Sequence, residues 1–292
     1  MSRDIEDIRY VRINASDLDH SIDFATRILG LQLVRKDNQT AYLRSDRRDH
    51  SVCYTLGDAR NHAVGWEVKS FESLERIAAQ LENSGAYIRL GTAEECEQRR
   101  VKRLVITKDI TGSIIDLVAR PDSTGSSYYG TRDAGITHFS HVGVHTQNPV
   151  EDELFWVQNL GAKTSDRIGN AALIRINEVH HNIAFFPSRK IGIQHVNFQV
   201  LNFEDIMKSY YFLLEKNVKI MFGPGRHATS GAIFLYFQGP DDIVYEYSTG
   251  VRMITEEDEK TYQPRQFPLT PSSFCMWGSR PDIPEFKTIN GD

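Results

Sequence analysis

The chain repeats itself, and the repeat constrains the fold more than any other feature of the sequence. IRYVRINASDLDHSIDFATRILGLQL, from Ile8, lies against FSHVGVHTQNPVEDELFWVQNLGAKT, from Phe139, so that Leu29-Gly30 falls on Leu160-Gly161 with a shift of 131 residues. The same shift carries AYLRSDRRDHSVCYTL, from Ala41, onto ALIRINEVHHNIAFFP, from Ala172, matching Arg44 with Arg175 and His50 with His181. It then drifts by one in either direction: WEVKSFESLERIAAQLENSG, from Trp66, matches from Phe198 at 132, and ITGSIIDLVA, from Ile110, matches from Pro240 at 130. Two copies of one domain follow.

Each copy contains a smaller unit twice. Alternating segments such as Arg9 to Asn14 and His195 to Val200 predict half-buried strands. Ser16 begins a helix with Asp19 three residues on, like a capping box, and Gly30 closes it. Phe71 to Ser84 sets Leu74, Ile77, Ala78 and Leu81 on one face and stops at Gly85, and Phe203 to Lys216 repeats the pattern. The expected fold is α+β: tandem βαβββ modules, two per domain, in two similar domains. The periodicity lapses in PDSTGSSYYGTRDAG, from Pro121. This divides the chain into an N-terminal domain 1–120, a linker 121–136, a C-terminal domain 137–250 and an extended arm 251–292. In the arm, Phe267, Phe274, Met276 and Trp277 must bury against a domain or a second subunit.

Composition removes several classes of partner. With 292 residues, 40% hydrophobic and 25% charged, the chain can bury two cores. No apolar run approaches the roughly 20 residues of a membrane span, and MSRDIEDIRY has no signal-peptide core, so the expected address is the cytoplasm. Cys53, Cys96 and Cys275 are odd in number and widely spaced, which suggests neither a disulfide frame nor a thiolate zinc site. A net charge of -5 without like-charge blocks offers no footprint for nucleic acid or an acidic membrane.

Chemistry is sought where the two copies differ. Seven of the ten histidines, His138, His141, His145, His180, His181, His195 and His227, fall between positions 138 and 227. His141 faces Tyr10, His195 faces Ala63 and Glu246 faces Asp116, so only the second half can hold a metal this way. His141 and His195 start two successive units, and alternation in VYEY puts Val244 and Glu246 on one face with Tyr245 and Tyr247 on the other. Two imidazoles and one carboxylate leave open positions on a metal, an arrangement that suits Fe(II) enzymes using O2. Zinc hydrolysis or Mn(II) would tolerate similar ligands.

Four segments in order carry a family resemblance: HVGVHT from His141, HH at 180–181 leading into NIAFF, QHVNFQV with His195, and GPGRHATSGAIFLYFQGPDDIVYEY with His227, Tyr236, Pro240 and Glu246. The whole chain resembles a two-domain extradiol ring-cleaving dioxygenase of the vicinal oxygen chelate superfamily. The resemblance implies Fe(II), less readily Mn(II), held by His141, His195 and Glu246. It also implies His181 as acid/base, although His50 in the metal-free half shows that an imidazole can be kept there for structure. His227 and Tyr236 would hydrogen-bond the substrate oxygens, and His138, His145 and His180 have no matching role, so they are most simply surface residues or residues behind the ligands. The implied reaction opens a catechol with O2; alkyl- or aryl-substituted and carboxylated catechols compete as substrates, the latter through a faint likeness of the PSSFCMWGS tail. Homo-oligomers are common in this family. Glyoxalase-like isomerases and metal-free binding modules on the same scaffold are the alternatives. One departure stands at Gly239 and Asp242, where the family usually has an acidic or small polar residue before the Pro and a Gly two after it. Aspartate tolerates left-handed backbone, so the hairpin can survive.

Overall fold

The computed structural model describes residues 4–58 and 62–287. The first unit runs β1 (Ile5–Ala15), α1 (Leu18–Asp23), β2 (Gln32–Lys36), β3 (Thr40–Arg44) and β4 (Val52–Leu56). The second runs β5 (His62–Val68), α2 (Phe71–Asn83), β6 (Ile88–Leu90), α3 (Ala93–Arg99), β7 (Val101–Lys108) and β8 (Ile114–Pro121). The second half repeats the order with β9 (Ile136–Thr146), α4 (Pro149–Leu160), β10 (Lys163–Ile168), β11 (Ala171–Arg175) and β12 (Ile183–Pro187). Its last unit is β13 (Gly192–Val200), α5 (Phe203–Glu215), β14 (Ile220–Arg226), β15 (Ile233–Gln238) and β16 (Val244–Thr249). An arm with β17 (Arg265–Phe267) and the single turn α6 (Pro271–Phe274) follows.

The sheet orders are β2-β3-β4-β1-β5-β8-β7-β6 and β14-β15-β16-β13-β9-β12-β11-β10-β17. In each half the first strands of the two units pair antiparallel, β1 with β5 and β9 with β13, and each first strand pairs parallel with the last strand of its own unit. Every chain crossover thus packs its helix on one side of the sheet and leaves the other side as a cup. On the packed side α2 buries Leu74, Ile77 and Leu81, each worth about 1.5–3 kcal/mol.

Four details differ from the sequence reading. His195 to Val200 is buried on both faces, because β13 lies mid-sheet between the helix layer and the cup. The first helix is capped by Asp17, whose carboxylate accepts the His20 N–H at 2.9 Å; Ser16 turns away, its N–H donating to Asp241 of the other half at 3.1 Å. Beyond α1, residues Phe24–Ile28 widen into one π-helical turn before Gly30 closes the segment at φ 86°. The second unit holds an extra helix, α3, announced by the capping box of Thr92 and Glu95.

The arm crosses the C-terminal half from one sheet edge to the other. β17 pairs parallel with β10, while the N–H groups of Met276 and Asp282 donate to Arg226 and Met221 along β14 at 2.8 and 2.6 Å. Phe274, Cys275, Ile283 and Phe286 bury into an aromatic cluster with Phe186, Phe222 and Tyr236. Met276 and Trp277 do not bury: they remain 62% and 51% exposed, because the turn after α6 faces them outward. At the hairpin before β16, Asp241 and Asp242 both adopt left-handed backbone, φ 55° and 60°, so two aspartates serve in place of the usual glycine. Gly239 is sterically required there, since a Cβ would stand 2.4 Å from the Tyr245 ring.

Candidate metal centre

Strand register builds the site. Tyr236 on β15 lies opposite Glu246 on β16, Glu246 beside Asn197 on β13, and Asn197 opposite His141 on β9. His195, two residues before Asn197, shares the same face by the twofold alternation of a strand. Three potential ligand atoms converge: His141 Nε2 lies 3.1 Å from His195 Nε2 and 3.0 Å from Glu246 Oε2, and His195 Nε2 is 3.4 Å from that oxygen. All three atoms fall within 4.8 Å of one another, and all three residues are buried.

The electrostatics of this trio ask for a cation. Burial pushes the Glu246 carboxyl up, but His141, with His227 and His195, overrides it and holds the group well below the usual carboxylate range. Burial pulls His195 down to about 3, so its ring is neutral. Neither Glu246 oxygen has a hydrogen-bond donor among the described residues, although each is buried. A buried carboxylate without donors is costly, whereas an ionised carboxylate beside neutral imidazole is the donor state that a divalent ion requires. The residues present therefore fit a metal. Gly143 makes room for one of the donors: it faces His195 across β9 and β13, where any Cβ would overlap the imidazole.

His181 sits in the β11–β12 connection with its ring centroid 4.3 Å from that of His141. Burial, then the neighbouring His141 and His180, lower it well below 6.5, so the ring is neutral. His180, which has no role in the sequence reading, fixes its tautomer. Arg265 Nε donates to Asp166 Oδ1 at 3.0 Å, and Asp166 Oδ2 accepts from His180 Nε2 at 2.8 Å. His180 Nδ1 is then left as an acceptor for the Nδ1–H of His181, at 3.1 Å. The outcome is a His181 ring whose Nε2 carries a lone pair, ready to take a proton.

His227 is set by the arm. Its Nδ1–H donates to the Phe274 carbonyl at 2.9 Å, directing Nε2 toward the Tyr236 hydroxyl at 3.2 Å and Glu246 Oε1 at 3.5 Å. Burial and the Glu246 charge raise Tyr236 well above 10, so it remains a phenol and a donor. His145 is buried, not on the surface, and meets Glu285 of the arm at 3.3 Å. His138 is exposed. Sequence reasoning missed Asp166, Arg265 and Glu285; no spacing ties them to the histidines, because the arm brings two of the three from far along the chain.

The N-terminal cup shows the alternative filling. Tyr10 occupies the place of His141 and donates to Asp116 Oδ2 at 3.0 Å, with Arg99 Nε 2.6 Å from the same oxygen. A guanidinium neutralises the carboxylate there without a metal. His50, the counterpart of His181, stacks on Tyr10 at 5.1 Å and bonds to Asp49 at 2.9 Å, a structural use of the same imidazole.

Residues 138–247 match the Glyoxalase/Bleomycin resistance protein/Dioxygenase superfamily. An iron-dependent extradiol dioxygenase of Rhodococcus jostii (strain RHA1) is 26% identical over 275 residues, covering 87% of this chain and 92% of the relative. A manganese-dependent 2,3-dihydroxybiphenyl 1,2-dioxygenase of Geobacillus genomosp. 3 is 26% identical over 262 residues, 82% of this chain and 83% of the relative. Among solved structures, BphC, a halotolerant catechol dioxygenase, superposes with a TM-score of 0.87 at 20% identity over 98% of both chains. With two paired-module halves, a buried His-His-Glu cluster in the second, and relatives matched along most of their length, the chain has the fold of the two-domain extradiol catechol dioxygenases, and its residues 138–247 match the glyoxalase/bleomycin resistance protein/dioxygenase superfamily.

Proposed function

We propose that this protein is an extradiol, meta-cleaving dioxygenase that uses Fe(II) and O2 to open the ring of a substituted catechol, adding both oxygen atoms. The observation that carries the reading is the convergence of His141, His195 and Glu246, with both Glu246 oxygens buried and lacking donors. These three would hold the metal, with Mn(II) the less favoured ion. The names of the relatives support both metals, and the names of the extradiol relatives support a catechol. When bound, such an ion would supply Lewis-acid and redox chemistry for a catechol and O2.

The chain's own residues do the rest. His181 Nε2 accepts a catechol proton and returns it as the ring opens, acting as general acid/base. Tyr236 and His227 hydrogen-bond the substrate oxygens on the opposite side. The aromatic cluster around Phe186, Phe222 and Phe286 excludes water and favours an alkyl- or aryl-substituted ring over a carboxylated one. We assign residues 1–120 to a metal-free domain, 121–136 to the linker, 137–250 to the catalytic domain and 251–292 to the arm; residues 1–3, 59–61 and 288–292 lie outside the described residues. Cys53, Cys96 and Cys275 are free thiols, which supports a reducing, cytoplasmic address. The exposed pair Trp277 and Phe203, rings 6.4 Å apart, supports assembly as a homo-oligomer.

The test is anaerobic loading with Fe(II), then a panel of catechols, then air. Stoichiometric O2 uptake with a yellow product is expected. Binding of a catechol without O2 uptake would replace the reading with a binding module, and isomerisation of a glutathione adduct would replace it with a glyoxalase-like enzyme.

A further inference from the structure

The two cups answer the same register with opposite chemistry. Where Gly143 on β9 faces His195 on β13, the N-terminal half has Arg12 on β1 facing Ala63 on β5. Loss of the imidazole at position 63 opens space, and a guanidinium stands beside it. Tyr10, Asp116 and Arg99 close the floor beneath. Above that floor a cavity of about 450 Å³ is lined by Arg12, Arg89, Arg99 and Lys108, with Tyr87 and Ile106, and no acidic side chain lines it among the described residues.

The charges of this cavity are only half compensated. Arg99 is matched by Asp116 at 2.6 Å, and Arg89 by Glu95 through two hydrogen bonds of 2.7 and 2.8 Å. Arg12 and Lys108 make no ion pair among the described residues. Arg12 Nη1 is buried without an acceptor, and Lys108 instead lies 5.4 Å from the centre of the Tyr87 ring. Two uncompensated cations in a recess attract an anion more strongly than they would on an open surface. A fork and a point charge together suit an oxyanion, while Tyr87, Ile106 and Ile114 offer an apolar wall.

We propose that the N-terminal cup binds a small organic carboxylate, its head held by Arg12 and Lys108 and its apolar body laid against Tyr87, Ile106 and Ile114. The volume lies within the range of small-molecule sites, and nothing in the proposal depends on the chemistry of the C-terminal cup.

Calorimetric titration of the metal-loaded, full-length protein tests it with benzoate, the uncharged isostere benzyl alcohol, and inorganic phosphate. Benzoate is expected to saturate one site at least about tenfold more tightly than benzyl alcohol, the worth of one charge-assisted hydrogen bond. Arg12→Gln and Lys108→Met should each weaken benzoate by about tenfold or more. Lys108 is exposed and makes no ion pair, so Lys108→Met should melt as the parent does and keeps the test informative if Arg12→Gln misfolds. Stripping the metal should leave the benzoate isotherm unchanged. Equal binding of benzoate and benzyl alcohol, insensitivity to Lys108→Met, or an isotherm that vanishes with the metal each overturns the proposal. Binding of phosphate in place of benzoate overturns the carboxylate assignment.

Discussion

A Cβ on Gly143 would stand 2.3 Å from Nδ1 of His195, so the absence of a side chain on β9 is what lets the β13 imidazole lie flat across the neighbouring strand. The backbone at 143 is ordinary extended strand, so alanine is opposed there only by contacts, chiefly with the His195 ring and also with Gln194 Oε1 at 2.9 Å. Gly143→Ala should therefore fold, displace the imidazole and lower metal affinity by about 10- to 100-fold, the usual cost of disturbing the support of a ligand. Metal content after dialysis against a graded chelator measures it. Unchanged retention would mean that His195 is not held where the proposed ligand set needs it.

His181 and the chain behind it separate holding the metal from using it. His181→Phe should retain metal yet lose about 10²- to 10⁴-fold in kcat, the range of a general acid/base. Asp166→Asn reaches the same atom at a distance. An amide can donate to His180 Nε2, which would reverse the His180–His181 hydrogen bond and put the proton on the wrong nitrogen of His181. The expected signature is a fall in kcat with KM and metal content little changed. A full rate in His181→Phe would remove the acid/base assignment, and a full rate in Asp166→Asn alone would remove the relay.

Much of this architecture is legible in the sequence, for a physical reason: duplication aligns each position with a twin that keeps the core but drops the chemistry. Tyr10, Ala63 and Asp116 expose His141, His195 and Glu246 by contrast. The face shared by Val244 and Glu246 followed from strand alternation alone. What stayed hidden depends on contacts that no period encodes. Asp166 lies in a strand and Arg265 in the arm, 99 residues apart, and only the pairing of β17 with β10 brings them together under His180. The destination of the arm was equally hidden, because Phe274 and Trp277 look alike in sequence while one is buried and the other faces out. The extra helix α3 was readable in principle, since Thr92 and Glu95 form a capping box that the repeat alignment masks.

One carboxylate near the seam between the halves makes stability depend on pH. Asp109, in the β7–β8 turn, is raised to about 7 by burial and by Asp152 of α4, whose carboxylate accepts the Thr111 N–H at 3.0 Å. An acid raised in the fold binds its proton more tightly there than in the unfolded chain. Its stabilising contribution is present in full below the ordinary value of 3.8 and is lost as pH rises through about 7. Asp109→Asn keeps the Oδ1 acceptor for Gly112 and Ser113 and removes the charge. The variant should gain roughly 1–3 kcal/mol over the parent at pH 8 and show little gain at pH 4. Thermal melts at the two pH values measure it, and a gain of equal size at both would point to a cause other than this ionisation.

Phe286 tests whether the arm belongs to the substrate cup. Its ring is 2% exposed and packs 4.7 Å from Phe186 and 5.9 Å from Tyr236, while the adjoining Glu285 holds His145 and accepts the Ser188 hydroxyl at 3.1 Å. Phe286→Ala removes about 3–5 kcal/mol of packing from this wall. That loss falls on the arm and the cup, not on β9, β13 and β16, so metal content should hold. KM for a substituted catechol should rise several-fold with a smaller change in kcat, because the lost contacts serve substrate and transition state alike. An unchanged KM beside a lowered melting temperature would make Phe286 a fastener of the arm with no part in lining the cup.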